Sequence, residues 1–315
     1  MENLNHPLVT IAIPAYKSKH LTQAIESALR QTYARIELVI VNDKSPEDIA
    51  SIVNKFDDRR IRYFENERNL GSNDPAENWN KCLSYAQGEY FCLLCDDDYY
   101  APQFVEEMMS LAILHPSVSV FRSRVKFVNE RDDIIDLFPS SPDFETAMDY
   151  LWSKVARYRI QTISEFMLKT QTIKEKGGYA NMPKAWCADE MSICEFAKEG
   201  GICHSNKLLV SFRMSGENIS SCGKKNIKEK ICAQNIYTNW ISEFVAEQEA
   251  WFQQSIMRHR RRSLDIFIPS YLQYATIFQF LQFWDQKKKY YISTKQLFKA
   301  LYLKMSSFLF NKNGI

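Results

Sequence analysis

The feature that most narrows the choice of fold is a regular alternation of short apolar runs with stretches of helical spacing. Residues 9–13 (VTIAI) are rich in β-formers and are closed by Pro14; residues 21–30 then place apolar side chains at Leu21, Ala24, Ile25, Ala28 and Leu29. Residues 37–41 (ELVIV) are almost continuously apolar, as expected of a strand covered on both faces. Ser45-Pro46-Glu47 reads as a helix start, with Ser45 as N-cap and Pro46 at the first helical position. Further along, residues 61–64 predict a strand and 75–86 a helix ending before Gly88. A strand over 90–94 and a helix over 102–114 follow. Repeats of this kind predict an α/β fold, a mainly parallel sheet with helices on both faces.

Ligands of such sheets bind beyond the carboxyl ends of the strands. Tyr16, Asp43 and the triplet Asp96-Asp97-Asp98 all fall at expected strand ends. The triplet is the oddest of these, because an apolar strand runs straight into three adjacent carboxylates. Neighbouring carboxylates repel, and desolvating them together is costly unless a cation shares them. Either the turn lies open to solvent, where it caps the next helix, or it holds a hard divalent ion together with phosphate oxygens.

Bulk properties exclude several alternatives. A 45% hydrophobic and 25% charged composition is that of an ordinary globular chain. The net charge of +2 conceals an asymmetry, since residues 224–315 carry 15 Lys/Arg against 6 Asp/Glu, leaving an acidic body and a basic tail. The N-terminal residues lack the basic-then-apolar order of a signal peptide, which is the expectation for a cytoplasmic protein. The longest uncharged run, 266–284, contains Pro269 and three glutamines and suits a spanning helix poorly. Eight cysteines show no disulfide-like framework, and the Cys92–Cys95 pair has no second pair to complete a zinc site. A dinucleotide-dependent oxidoreductase needs a glycine-rich turn after the first strand, and IPAYKSKH has no glycine.

Taken in order, four segments resemble the family 2 glycosyltransferases of GT-A fold, the bacterial-type, nucleotide-sugar-dependent enzymes. They are VTIAIPAYKSKHLTQAIESALRQTYARIELVIVNDKS, NLGSNDPAENWNKCLSYAQGEYFCLLCDDDYYAP, GGYANMPKAWCADEMSICEFAKEGG and VSFRMSGENIS, and together they span about residues 8–221. The resemblance implies a GT-A catalytic domain over 1–223. It also implies an inverting, hexosyltransferase-like transfer of a sugar from a nucleotide diphosphate, most readily a UDP-sugar, to a hydroxyl acceptor. It puts Pro14, Tyr16, Asp43, Asn80, Asp96 and Arg213 on the nucleotide-sugar and Asp97, supported by Asp98, on Mn²⁺ or Mg²⁺. Arg213, with Ser215 nearby, would hold the diphosphate after a closing movement. Cys95 stands where many relatives carry the first acid of the Asp-x-Asp-Asp pattern. Asp189 aligns with the general base, with Glu190 as the alternative. The acceptor would be a glycan or a lipid-linked sugar in cell-surface polysaccharide synthesis. A nucleotide-sugar-binding protein without turnover is the alternative function.

The tail, 224–315, lies outside the resemblance. Its helical spacing and basic, aromatic composition fit a helical extension in one of two ways. It either packs as a bundle or forms a homodimer, or it lies on an anionic membrane at the inner face. No recognition motif supports nucleic-acid binding.

Overall fold

In this computed structural model the description covers residues 6–214 and 225–312, except the side chains of 307–312. Ser215, residues 216–220 (GENIS) and the expected domain boundary after residue 223 lie outside the described residues. The chain divides into two compact units, one of residues 1–151 and 159–215, the other of residues 152–158 and 216–315.

The first unit begins with β1 (Val9–Ala15), α1 (Leu21–Leu29), β2 (Ile36–Asn42), α2 (Ile49–Val53), β3 (Ile61–Glu65), α3 (Pro75–Tyr85) and β4 (Tyr90–Leu93). It continues with β5 (Tyr99–Tyr100), α4 (Phe104–Leu114), β6 (Val120–Val128), β7 (Ile134–Leu137), β8 (Phe144–Glu145) and α5 (Ala147–Val155), the last of which runs on into the second unit. β9 (Phe166–Lys169), α6 (Thr170–Glu175), α7 (Ala188–Ala197) and β10 (Ile202–Arg213) complete it. The sheet runs β3-β2-β1-β4-β9-β6-β10-β5, with β7 beside β6 and β8 beside β10.

β3, β2, β1 and β4 pair in parallel, as do β6 and β10. β9 wedges between β4 and β6, antiparallel to both, so β3, β2, β1, β4, β6 and β10 all point one way. The sheet is therefore mixed rather than purely parallel. Alternate residues of β1 (Val9, Ile11, Ile13) share a core with α1 and α4, where Leu21, Ile25, Phe104 and Met108 are fully buried. The intervening residues face the other way, as pleating requires. α3 packs against β1 and β2, and its buried Ala76, Cys82 and Leu83 lie outside that core. Helices covering both faces explain why β2 is buried at every position.

The helix expected from Ser45 begins later. Asp48 is the N-cap of α2 and accepts from the Ser51 N–H at 3.0 Å. Ser45 Oγ instead donates to the Tyr16 carbonyl at 2.5 Å, so this serine fastens the β1 turn rather than a helix. All cysteines among the described residues are free, Cys92 and Cys95 included.

The second unit contains α8 (Ile227–Phe244), α9 (Ala250–Leu272), α10 (Ile277–Asp285) and α11 (Thr294–Lys312). Ile231, Ile241, Ile256, Leu272, Leu297 and Ala300 are fully buried. Arg260 of α9 is buried too, and donates to the carbonyl and side chain of Gln234 on α8 at 2.7 and 2.6 Å. None of the described helices is long and apolar enough to cross a membrane.

Candidate active site

β4 ends at Leu93, and the chain turns through Cys95–Asp98, where the Asp98 N–H donates to the Cys95 carbonyl at 3.2 Å. All three aspartates are buried. The turn after β1 holds Asp96 and Asp97, and Ser164 and β10 hold Asp98. Asp96 Oδ2 accepts from the Tyr16 and Lys17 N–H groups, both at 2.7 Å, at the end of β1. Asp97 Oδ2 takes the Lys17 ammonium at 3.1 Å. Asp98 accepts from Ser164 Oγ at 2.7 Å and from the Arg213 N–H at 3.0 Å at the end of β10.

These donors offset the cost of burying adjacent carboxylates only in part. Burial, and after it the Asp97 charge, pushes the Asp96 carboxyl up to about 6. Burial and the same neighbour raise Asp98 well above the usual carboxylate range. Lost solvation and the Asp98 charge likewise raise the Cys95 thiol. Burial works to lower the Lys17 ammonium, but the charges of Asp97 and Asp96 outweigh it and hold Lys17 raised. The site thus favours an added positive charge.

Cys95 Sγ and the carboxylate oxygens of Asp97 and Asp98 lie within 4.8 Å of one another, close enough to share one metal ion. The donor set fits a divalent cation with oxygen preference, and Mn²⁺ tolerates the sulfur better than Mg²⁺ does. Asp98 is already oriented by Ser164 and Arg213, as outer partners usually orient a ligand. Asp97 has Lys17 as its partner, a cation that a metal ion can displace.

The other expected residues sit as follows. Pro14 pairs with Val41 in the β1–β2 ladder, and the Tyr16 ring beyond it is 40% exposed, open to stacking. Asp43 is buried and grips the loop after β3: it accepts from Asn66 Nδ2 and the Leu70 N–H, both at 2.8 Å, and from the Gly71 N–H at 2.7 Å. A carboxylate has about four acceptor positions, so one is left for a ligand N–H. A Cβ at Gly71 would come within 2.9 Å of Asp43 Oδ2, which is why this position needs glycine. Asn66 Oδ1 and Asn69 Oδ1 are buried beside this loop without a hydrogen bond.

Two of the expected residues, Asn80 and Arg213, make their hydrogen bonds within the fold. Asn80 spends both ends of its amide on the backbone of Tyr179, at 2.8 and 2.7 Å, and so pins the segment that leads to α7. Arg213 is fully buried. Its guanidinium donates to the carbonyls of Asp97 and Asn129, to Gln23 Oε1 and to Asp132 Oδ1, and it packs over the Tyr99 ring. In this arrangement it braces the aspartate turn.

Asp189 and Glu190 occupy the first turn of α7, where the helix dipole favours a carboxylate. Three residues just before them, Lys184, Ala185 and Cys187, have φ of 57°, 53° and 67°. Left-handed backbone in residues other than glycine stores strain and often marks functional segments. Asp189 Oδ2 accepts from Gln161 Nε2 at 3.0 Å, and Gln161 Oε1 accepts from the buried Tyr150 hydroxyl at 2.6 Å. Behind them Arg122 lies over the Tyr150 ring and donates from Nε to Glu165 Oε1 at 2.5 Å. The short stretch 161–165 thus ties Asp189, through Gln161, to the aspartate turn, through Ser164. Lys17, Ser164, Gln161 and Tyr150 were not singled out in the sequence. Only the position of Lys17 directly after Tyr16 hinted at a role.

A mainly parallel α/β sheet with an acidic turn at the end of its fourth strand defines a nucleotide-diphospho-sugar transferase fold. The family model described as "Glycosyl transferase family 2" matches residues 10–166, and the chain belongs to that family. Among curated relatives, the UDP-Glc:alpha-D-GlcNAc-diphosphoundecaprenol beta-1,3-glucosyltransferase WfaP of Escherichia coli is 35% identical over 136 residues, 43% of this chain and 52% of WfaP. In the curated glycosyltransferases of Rickettsia bellii and Methanocaldococcus jannaschii the matched stretch spans 15% and 59% of the relative's length, less than two thirds. S. aureus TarS residues 1–349, solved with UDP-GlcNAc, is similar in fold with a TM-score of 0.69 at 15% identity, over 95% of this chain and 91% of that one. The mannosyltransferase PcManGT of Pyrobaculum calidifontis, solved with GDP-Man and Mn²⁺, has a TM-score of 0.58 at 13% identity, over 95% and 87% of the two chains. The fold is that of GT-A glycosyltransferases.

Proposed function

We propose that this protein is an inverting, metal-dependent glycosyltransferase that moves a sugar from a UDP-sugar to a hydroxyl of a glycan or lipid-linked acceptor in cell-surface polysaccharide synthesis. The observation that carries the reading is the bridge 161–165, which joins a base candidate at Asp189 to a cation site at Cys95–Asp98. Uridine nucleotides in the names of WfaP and of the TarS complex favour UDP, and the WfaP acceptor favours a lipid-linked glycan. Residues 1–223 would form the transferase and 224–315 a helical extension.

In this mechanism the exposed Tyr16 ring stacks on the nucleotide base, and Asp43 accepts a ring N–H while holding its loop shut. Asp97 and Asp98, with Cys95 beside them, would hold Mn²⁺ or Mg²⁺, which supplies charge neutralisation to the departing diphosphate. Asp96 keeps the Tyr16–Lys17 turn in register with the metal ligands through its two backbone bonds. Lys17, released from Asp97, is placed to pair with a phosphate oxygen. Asp189 takes the acceptor hydroxyl proton as that oxygen attacks opposite the leaving group. Attack from that side inverts the anomeric centre.

A thermal-shift screen of UDP-, GDP-, CMP- and dTDP-sugars with Mn²⁺ tests the donor, because a ligand of the folded state alone raises stability by mass action. A UDP-sugar should give the largest Mn²⁺-dependent rise, lost in Asp97→Ala. Binding without any donor hydrolysis or transfer would favour the non-catalytic alternative. Glu190→Gln losing turnover while Asp189→Asn keeps it would move the base by one residue.

A further inference from the structure

The four helices of the second unit leave one surface without a partner among the described residues. On α10, Ile277 (76% exposed), Phe278 (70%) and Leu281 share a face, opposite the buried Phe283. On α11, Phe298, Leu301, Tyr302 (71%) and Met305 follow i, i+3, i+4, i+7 spacing and are all exposed. Leu297 and Ala300, on the other side of that helix, are fully buried. The two apolar faces meet where the Trp284 and Phe298 rings pack edge to face, 5.5 Å between centroids. The result is a continuous apolar strip of aromatic and aliphatic side chains, larger than scattered surface residues account for. The long uncharged run 266–284 does not form it as a whole, since Ile268 and Leu272 are buried.

The charge around the strip decides what fits it. Residues 277–306 hold six lysines and one aspartate, a net of +5. Lys287 lies over the Trp284 ring, where the two faces meet, which puts a cation at the rim of the apolar strip. A second copy would bring the same positive charge against this one. An anionic lipid bilayer offers an apolar interior under a negative surface, the complement of both features. We propose that α10 and α11 form a docking face for anionic membrane, with the apolar strip buried at the acyl boundary and the lysines among headgroups. This inference rests on the second unit alone and stands apart from the transfer reading.

Co-sedimentation of the full protein with vesicles of phosphatidylcholine plus phosphatidylglycerol, and of phosphatidylcholine alone, tests it. Binding to the acidic vesicles is expected at 50 mM salt, falling about tenfold or more at 500 mM because headgroup attraction is screened. Lys287→Gln with Lys288→Gln and Lys289→Gln should weaken that binding. Phe278→Ser with Tyr302→Ser should weaken it at every salt concentration. Circular dichroism and an unchanged UDP-sugar thermal shift check that both variants are folded. No pelleting with acidic vesicles at low salt overturns the proposal. So does equal binding to neutral vesicles, equal binding by the Ser variant, or a wild-type dimer in light scattering that the Ser variant breaks while vesicles stay unbound.

Discussion

Replacing Gln161 with glutamate should move the pH dependence of transfer without unfolding the protein. In the structure the Gln161 amide donates to Asp189 Oδ2 at 3.0 Å, and the Tyr150 hydroxyl, at 2.6 Å from Oε1, fixes which end of the amide faces Asp189. A hydrogen bond to a carboxylate contributes about 1.5–3 kcal/mol when buried. Both residues are half-buried, so the lower end, about 1.5 kcal/mol, is the better figure for the bond that Gln161→Glu removes. The new carboxylate also repels Asp189, by about 4 kcal/mol at 4 Å for an effective dielectric of 20, and about half of that after screening. The sum, about 3.5 kcal/mol, corresponds to roughly two and a half pH units at 1.36 kcal/mol each.

The sign follows from the role of the base. As the proposed base, Asp189 works deprotonated, so a change that favours its protonated form moves the acid limb of kcat/KM to higher pH. Gln161→Met removes the donor without adding charge and should move the limb the same way by about one unit or less. Initial rates of transfer or donor hydrolysis between pH 5 and 9 give the profile, with Asp189→Asn as the variant that is slow throughout. An acid limb that stays in place in both variants refutes the reasoning: either Asp189 is not the base, or Gln161 supports the fold and nothing more.

Asn80→Ala removes two hydrogen bonds to Tyr179 and should cost about 2 kcal/mol, or about 4–8 °C of melting temperature in a unit of this size, measured by differential scanning fluorimetry. A large loss of UDP affinity with no loss of stability would instead put Asn80 on the nucleotide. Glu165→Gln leaves the Arg122 guanidinium buried without its counter-charge and should destabilise by about 3–5 kcal/mol; a melting temperature within 2 °C of wild type would exclude this. Asp96 at about 6, and Asp98 raised in the same direction, make the metal-free fold lose stability as pH rises from about 4 through 6, because the folded state holds those protons longer than the unfolded chain. Mn²⁺ should therefore raise the melting temperature more at pH 7.5 than at pH 5, and an equal rise at both would argue against these carboxylates as its ligands.

Much of the fold was legible because buried strands and amphipathic helices leave opposite periodicities in the chain. β1 to β4 and their helices came out within a few residues of their places. The antiparallel β9 did not, because its four residues, FMLK, look like any short apolar run, and direction is decided by the neighbours it wedges between. Likewise the late start of α2 reflects a choice that local sequence leaves open. Ser45 can cap a helix or fasten the Tyr16 carbonyl, and the nearness of β1 decides for the second.

The site divides along the same line. Carboxylates at strand ends are visible because chemistry restricts which residues can serve there, but the groups that aim them are common side chains far off in the chain. Lys17 is the plainest case. Lys17 and Lys19 are two lysines of one turn, and nothing local says which is solvated. Asp96, 79 residues on from Lys17, grips the Tyr16 and Lys17 amides and turns the Lys17 side chain onto Asp97. Lys19 meets Glu130 on the open surface instead. The middle member of the triplet thus acquires its cation through the first. Three adjacent aspartates can be buried because each meets a different donor group. Asp96 positions the turn, Asp97 faces the exchangeable charge, and Asp98 locks the end of β10. Asp96→Ala, which removes the acceptor of both amides, should for that reason disturb Lys17 and the metal together, whereas Asp98→Asn, keeping an acceptor for Arg213 but losing the charge, should weaken metal while leaving Lys17 on Asp97.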